Sequence, residues 1–248
     1  EKALYELGIT EGQVLFVHSS ADKSNSIEGG VGKILQLLLD IIGPSGTLVL
    51  PTFPFDGMAA DYLQQTQFFD VKKTPSRVGL LSEIFRRMPD VLRSIHPTHP
   101  VAAFGKEAQY FVSEHHLDIH PFGSLSPFKK MEKKQGKILM IGVDSTYLTH
   151  MHTVEDTVGK KFPYKVYLDE IKEVQIKDSD GSLWTMQTLV HNPKVTRFKN
   201  IVGFEKEWLE MGIMKKHKAG NVELRLFDMT ALSEIMVKWT ESKKTIYG

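Results

Sequence analysis

Residues 13–53 constrain the fold more than any other stretch. The apolar block "QVLFVHSS" (residues 13–20) is followed by "SIEGG" and then "VGKILQLLLDII", whose Leu35, Leu38, Leu39 and Ile42 recur at helical spacing. "GPSG" (residues 43–46) stops that helix, and a second apolar block, "TLVLPTF" (residues 47–53), is closed by Pro51 and Pro54. Two buried strands joined through a helix make a βαβ unit. The spacing therefore predicts a parallel pair with a right-handed crossover, in a sheet whose faces helices must cover.

The alternation continues downstream. "DYLQQTQFFDVKKTPSR" (residues 61–77) lacks a clear period and reads as a loop, whereas "VGLLSEIFRRM" (residues 78–88) reads as a helix. Prolines keep "HPTHPVAAFG" (residues 96–105) extended. "KEAQYFVSEHH" (residues 106–116) and "SPFKKMEKK" (residues 126–134, Pro127 in its first turn) read as helices, and "KILMIGV" (residues 137–143) as a strand. After Lys165 the pattern becomes a meander around an "SDG" turn. It is followed by a helix over residues 205–216, the strand "NVELRLFDM" (residues 221–229) and a last helix capped by Thr230. The expectation is α/β: one layered domain over residues 1–248, with a central mixed sheet flanked by helices and a mostly antiparallel C-terminal segment. Residues 165–230 are a candidate β-rich subdomain of it.

Charge and composition narrow the function classes. Lys and Arg number 31 against 30 Asp and Glu, so the net charge of +1 gives no electrostatic reason to bind nucleic acid. No apolar run approaches the ~20 residues of a membrane span. The opening "EKALYELGIT" lacks the basic-then-apolar layout of a signal peptide. With no cysteine, disulfides, thiolate zinc sites and a thiol nucleophile are all excluded. A cytoplasmic protein without nucleic-acid or membrane partners is expected.

The densest chemistry is "LTHMHTVED" (residues 148–156), which sets Thr149, His150, His152 and Glu155 just past the end of a predicted strand. Three readings compete there. His150, His152 and Glu155, with His96 or His99, have the donor types of a zinc site, but residues i and i+2 do not share a helical face. His152 and Glu155, at i and i+3, do share one, and an imidazole oriented by a carboxylate is a proton acceptor at neutral pH. The third reading is a polar helix start. Upstream, the loop of residues 18–32 leads from a strand end to a helix start and offers free N–H groups to a phosphate. It is neither GxGxxG nor a Walker loop, and plain capping by its Ser and Gly residues accounts for it as well.

Six blocks, "VLFVHSS", "GPSGTLVLPTF", "TPSRVGLLSEIFRR", "VLRSIHPTHPVAAFG", "FGSLSPFKKM" and "LTHMHTVED", stand in the order and spacing of one family. From about residue 4 to residue 159 the chain resembles the aminoglycoside 3-N-acetyltransferases, which are distinct from the GNAT acetyltransferases. The resemblance implies an α/β enzyme that takes acetyl-CoA as co-substrate, needs no metal, and acetylates an amine of an aminoglycoside antibiotic or similar amino sugar, conferring resistance. Thr149, His152 and Glu155 fill the family pattern, so His152 and Glu155 inherit the catalytic roles, and the lack of cysteine favours direct transfer. It further implies coenzyme contacts at Ser19, Ser20, Gly30, Thr74, Pro75, Ser76, Ser94, His96 and Ser126, with Arg77 or Arg93 on a phosphate. Asp56, Asp61, Asp70, Asp144 and Asp156 are candidates for an acidic wall facing a polycationic acceptor. His115, His116 and His120 read as exposed helix-end residues. Alternative acceptors are nucleotide-linked or surface-polysaccharide amino sugars. Other classes kept in view are a His/Glu metal-dependent hydrolase and a non-catalytic binder of CoA or a sugar. The expected assembly is a monomer or homodimer.

Overall fold

A computed structural model of the chain describes residues 1–20, 29–197 and 199–247. Helix α1 (Lys2–Leu7) ends at Gly8 in the left-handed conformation and leads into β1 (Val14–Ser19). Helix α2 (Gly30–Ile42) buries Val31, Ile34, Leu35, Leu38, Ile41 and Ile42 along one face, and β2 (Thr47–Pro51) is buried at every residue. The two strands pair in parallel with Val14 opposite Thr47, as a helix-linked pair requires. There follow α3 (Ala59–Gln65), β3 (Phe68–Asp70), α4 (Leu80–Phe85), β4 (Leu92–Arg93), β5 (Val101–Gly105) and α5 (Ala108–Val112). Helix α6 (Pro127–Lys133) starts where Ser126 Oγ accepts from the Lys129 N–H. Strand β6 (Lys137–Ile141) then leads to a 3-10 turn (Thr149–His152) that continues into α7 (Thr153–Val158). The remaining elements are β7 (Lys172–Lys177), β8 (Leu183–Thr188), α8 (Pro193–Thr196), α9 (Glu205–Glu210), β9 (Met214–Ala219), β10 (Val222–Asp228) and α10 (Met229–Glu241).

A mixed sheet of seven strands, in the order β4-β5-β2-β1-β6-β10-β9, forms the middle layer. Its centre is parallel, β1 lying between β2 and β6, while β5 and β10 run antiparallel on either side. Side chains alternate between the two faces. Leu15, Val17, Leu48, Leu50 and Leu139 pack under α2 and α4 with Leu38, Leu81 and Phe85; Phe16, Val49, Ile138 and Met140 pack on the other side with Phe111, Phe128, Trp208 and Met236. Burial on both faces is why the sequence shows unbroken apolar blocks rather than alternation.

A second sheet, β3-β7-β8, stands beside the first with its own core of Phe69, Val174, Ile176 and Met186 against Ala59, Ala60 and Leu63 of α3. This corrects the expected loop over residues 61–77, which contains most of α3 and all of β3. Three apolar residues do not make a legible helix. They find their partner only in strands about a hundred residues later, where β3 pairs in parallel with β7. The half-buried Arg93 guanidinium ties the two sheets together. It donates to the Thr52 hydroxyl and carbonyl on one side and to the Val71 and Thr74 carbonyls on the other.

Residues 165–230 divide between the sheets, the β7–β8 hairpin going to the small one and β9 and β10 extending the large one. The expected helix over residues 205–216 ends at Glu210. Gly212 turns there with φ 70°, and Met214 enters β9 opposite Phe227. The last helix is capped by Asp228, whose carboxylate accepts from the Ala231 N–H at 3.0 Å, rather than by Thr230, whose hydroxyl donates to the Glu132 carbonyl.

Seven histidines among the described residues lie in this interior: His18, His96, His99, His115, His150, His152 and His191, all 8% exposed or less. His115 is thus no exposed helix end; its Nε2–H donates to the Pro121 carbonyl and its Nδ1 accepts from Ser94. Burial disfavours the imidazolium and pushes His18 and His115 to about 3 and His150 and His152 to about 4. In the unfolded chain the same groups titrate near ~6.5. Between these values the unfolded state binds protons that the folded state does not, so stability is full above ~6.5 and falls with pH at about 1.4 kcal/mol per pH unit for each such group. Acid titration followed by near-ultraviolet circular dichroism should show cooperative unfolding between about pH 6 and pH 4.5, with uptake of several protons. A chain that stays folded at about pH 4 would contradict this account of the interior.

Candidate active site

The carboxyl ends of β1, β2 and β6 open onto one cleft of about 610 Å³. From β1 the chain crosses to β2 on one side, while β6 takes the other side. Such a divergence leaves a crevice at the strand ends of an open α/β sheet. His18, Ser19 and Ser20 enter it from β1, Pro51 and Phe53 from β2, and Val143, Thr146, Tyr147 and Thr149 from beyond β6.

The floor of the cleft is set by a three-residue repeat. Leu148, Met151 and Val154 are buried in the core beneath the large sheet, which fixes the rotation of the turn. In 3-10 geometry side chains at i and i+3 lie above one another. The neighbouring stripe therefore sets Thr149 and His152 on the cleft, with Glu155 one turn on and buried behind His152. Thr153 steadies the turn by donating its hydroxyl to the His150 carbonyl at 2.8 Å.

Glu155, 3% exposed, is the centre of a hydrogen-bonded group. His152 Nδ1 lies 2.8 Å from Oε1 and His191 Nε2 lies 2.8 Å from Oε2. The Tyr247 hydroxyl donates to Oε1 as well. The His152 and His191 rings are 4.4 Å apart, and Phe122 packs against both, at 5.2 and 5.6 Å. Burial alone would raise the Glu155 carboxyl, but the two imidazoles outweigh it and hold the group well below the usual carboxylate range. An ionised Glu155 can only accept. This assigns the proton to His152 Nδ1 and leaves the Nε2 lone pair toward the cleft. Lys199 Nζ stands 3.5 Å from that Nε2. Burial lowers the Lys199 ammonium, with the Glu155 charge opposing it.

The sequence points to part of this group. The pair His152 and Glu155 meets as the spacing predicts, and Ser19, Ser20, Arg77 and Thr149 line the same cleft. His191, Lys199 and Tyr247 escaped notice, since each stands in a stretch without a motif, and His99 entered only as a metal candidate. Gly30 opens α2 with φ 63° but is not among the cleft-lining residues, and residues 21–28 of the preceding loop lie outside the described residues. The other proposed coenzyme contacts are not among the cleft-lining residues. Thr74 Oγ1 accepts from the Asp70 N–H, Pro75 is exposed away from the cleft lining, and the Ser76 N–H donates to Glu83. Ser94 accepts from the Val101 N–H, His96 Nδ1 accepts from the His99 N–H, and Ser126 caps α6. Arg93 is engaged between the sheets, which leaves Arg77 as the arginine at the cleft. Of the five proposed wall carboxylates only Asp56 lines the cleft. Asp70 and Asp144 cap turns, Asp61 is exposed on α3, and Asp156 accepts from Tyr167.

His152, Glu155 and His191 also have the donor types of a metal site, with ligand atoms within 4.8 Å of one another. Both imidazole nitrogens, however, meet carboxylate oxygens directly, each on its own oxygen, so protons rather than an ion fit between them. His150 does not join the set; its Nε2 lies 2.9 Å from Ser233 Oγ.

Comparison with known proteins places the chain in a family. Residues 16–241 match the family described as aminoglycoside 3-N-acetyltransferase. Aminoglycoside N(3)-acetyltransferase IX of Micromonospora chalcea is 26% identical over 261 residues, covering 97% of this chain and 91% of that protein. Among solved structures, a mutant of the aminoglycoside acetyltransferase AAC(3)-IVa in complex with a gentamicin superposes with a TM-score of 0.80 at 25% identity, over 99% of this chain and 88% of that one. The complex of AAC-IIIb with CoASH gives a TM-score of 0.80 at 24% identity, over 98% and 95%. With the family match spanning nearly the whole chain, this protein belongs to the aminoglycoside 3-N-acetyltransferase family of acyltransferases.

Proposed function

We propose that the chain moves the acetyl group of acetyl-CoA directly to an amine of an aminoglycoside or related amino sugar, with His152 as general base and Glu155 as its orienting carboxylate. The observation that carries this reading is the 2.8 Å bond from His152 Nδ1 to Glu155, which leaves the Nε2 lone pair as the proton acceptor on the cleft, beside Lys199. Burial holds His152 at about 4, so the imidazole is neutral at pH 7. The neutral acceptor amine attacks the thioester carbonyl and its nitrogen loses a proton to Nε2. The C–S bond then breaks, and the imidazolium returns the proton to the leaving thiolate, giving CoASH and the amide. Glu155 stabilises the transient imidazolium, and Lys199 offers positive charge to the oxygen that becomes negative in the tetrahedral intermediate. Support comes from family membership, from the gentamicin carried by AAC(3)-IVa and from the coenzyme carried by AAC-IIIb in the same fold. Arg77 and Lys199 stand against the single carboxylate Asp56 among the described lining residues, which widens the acceptor class to nucleotide-linked amino sugars.

Release of free CoA thiol, followed across a panel of aminoglycosides and nucleotide-linked amino sugars, tests the reading. Turnover should be indifferent to chelators. Loss of activity with chelator and recovery with zinc would favour a hydrolytic metal site at His152, Glu155 and His191 instead. In the same assay His152→Ala should lose ~100-fold or more of the rate. Acetyl-CoA should still raise its melting temperature by mass action, since the imidazole acts on the amine. Retention of more than about a tenth of the rate would remove His152 as the base.

Glu155→Gln should lower kcat by about 100-fold while the acceptor KM stays near wild type, because an amide keeps a hydrogen bond but not the charge beside the imidazolium. A rise in KM with kcat preserved would instead place Glu155 on the substrate ammonium.

A further inference from the structure

We propose that Tyr247 is a positioning residue of the acetyl-transfer site, its phenol O–H completing the set of donors that fixes the Glu155 carboxylate and, through it, the His152 ring. The inference rests on the reading of His152 as the base and adds a part to it. Glu155 Oε1 accepts from both His152 Nδ1 and the Tyr247 hydroxyl, while Oε2 accepts from His191. The hydroxyl is also 3.4 Å from His152 Nδ1, so it touches the bond it is proposed to steady.

Without Tyr247 the carboxylate could turn about its last torsion, a soft two-fold rotation, because a single donor would remain on each oxygen. With it, Oε1 is committed on two sides. Burial raises the phenol, with the Glu155 charge adding to the effect, so Tyr247 stays a protonated donor throughout the working pH range.

Independent contacts place the phenol. The Ile246 side chain is 3% exposed, and its carbonyl accepts from the Asn200 N–H at 2.7 Å. Lys244 Nζ sits 3.8 Å from the centre of the Trp239 ring and pairs with Glu207. The Phe162 and Tyr164 rings stand at 6.1 and 5.8 Å from the Tyr247 ring. Asn200 follows Lys199 in sequence, so one backbone bond ties the segment bearing Tyr247 to the one bearing the cation beside His152 Nε2.

The test is Tyr247→Phe, which keeps the ring and removes only the hydroxyl, read by steady-state kinetics, melting temperature and the downfield proton resonance of His152 Nδ1–H. That resonance is assigned in histidine-labelled enzyme by its absence from His152→Ala. The expected result is a fall in kcat of about tenfold, equivalent to one hydrogen bond of about 1.4 kcal/mol, with the KM of both substrates within about twofold. The Nδ1–H resonance should move downfield, as the imidazole keeps a carboxylate oxygen to itself, and the melting temperature should change little. Wild-type kcat with an unmoved resonance would overturn the proposal. So would a lower kcat accompanied by a lower melting temperature and an unmoved resonance, which is the signature of a purely structural tyrosine. If no acceptor is turned over by the wild-type chain, the acetyl-transfer reading fails, whereas the resonance still reports whether Tyr247 acts on the His152–Glu155 bond.

Discussion

A carboxylate taken almost wholly out of water dominates the site, and much of the structure can be understood as what makes that placement tolerable. An ionised group at 3% exposure is strongly unfavourable unless donors surround it. Glu155 has three: His152 from one turn before it, His191 from just beyond β8, and Tyr247 from beyond α10. Three distant parts of the chain must therefore be correctly folded before the charge is satisfied. The geometry of the base is thus a consequence of global folding and not of a local loop.

The large sheet supplies the frame. Its parallel centre sends the ends of β1, β2 and β6 to the same edge, and burial on both faces leaves that edge little freedom to shift. The apolar stripe Leu148, Met151 and Val154 then transmits the frame to the turn beyond β6. Packing of three hydrophobic side chains decides where an imidazole and a carboxylate point. Between the two sheets, Arg93 performs the corresponding task for the Thr52 and Thr74 regions through backbone carbonyls.

The same dryness has two effects on the histidines. It keeps His152 neutral and ready to accept a proton. It also sets His99 nearby, whose imidazole burial holds well below its ordinary range, so that it stays neutral while the chain is folded. A site built this way obtains a base free of competing protons and accepts sensitivity to acid across the whole interior.

Local periodicity was enough for the sequence to determine the βαβ opening, the strands β6 and β10, the capped helix at Pro127, and the meeting of His152 with Glu155. Each depends on residues within a few positions of one another, where backbone geometry alone sets which side chains share a face. The six family blocks reached the same pair and the fold class by resemblance. Everything joined across long separations waited for the tertiary structure. The helix α3 and strand β3 exist because β7 and β8 cover them. Ser94, His96 and Ser126 sit inside family blocks yet hold the fold rather than line the cleft, a distinction set by burial that the sequence does not display. His191, Lys199 and Tyr247 stand 36, 44 and 92 positions from Glu155 and carry no local pattern, because a partner brought by chain topology needs only the right chemistry at its end and leaves no spacing to read.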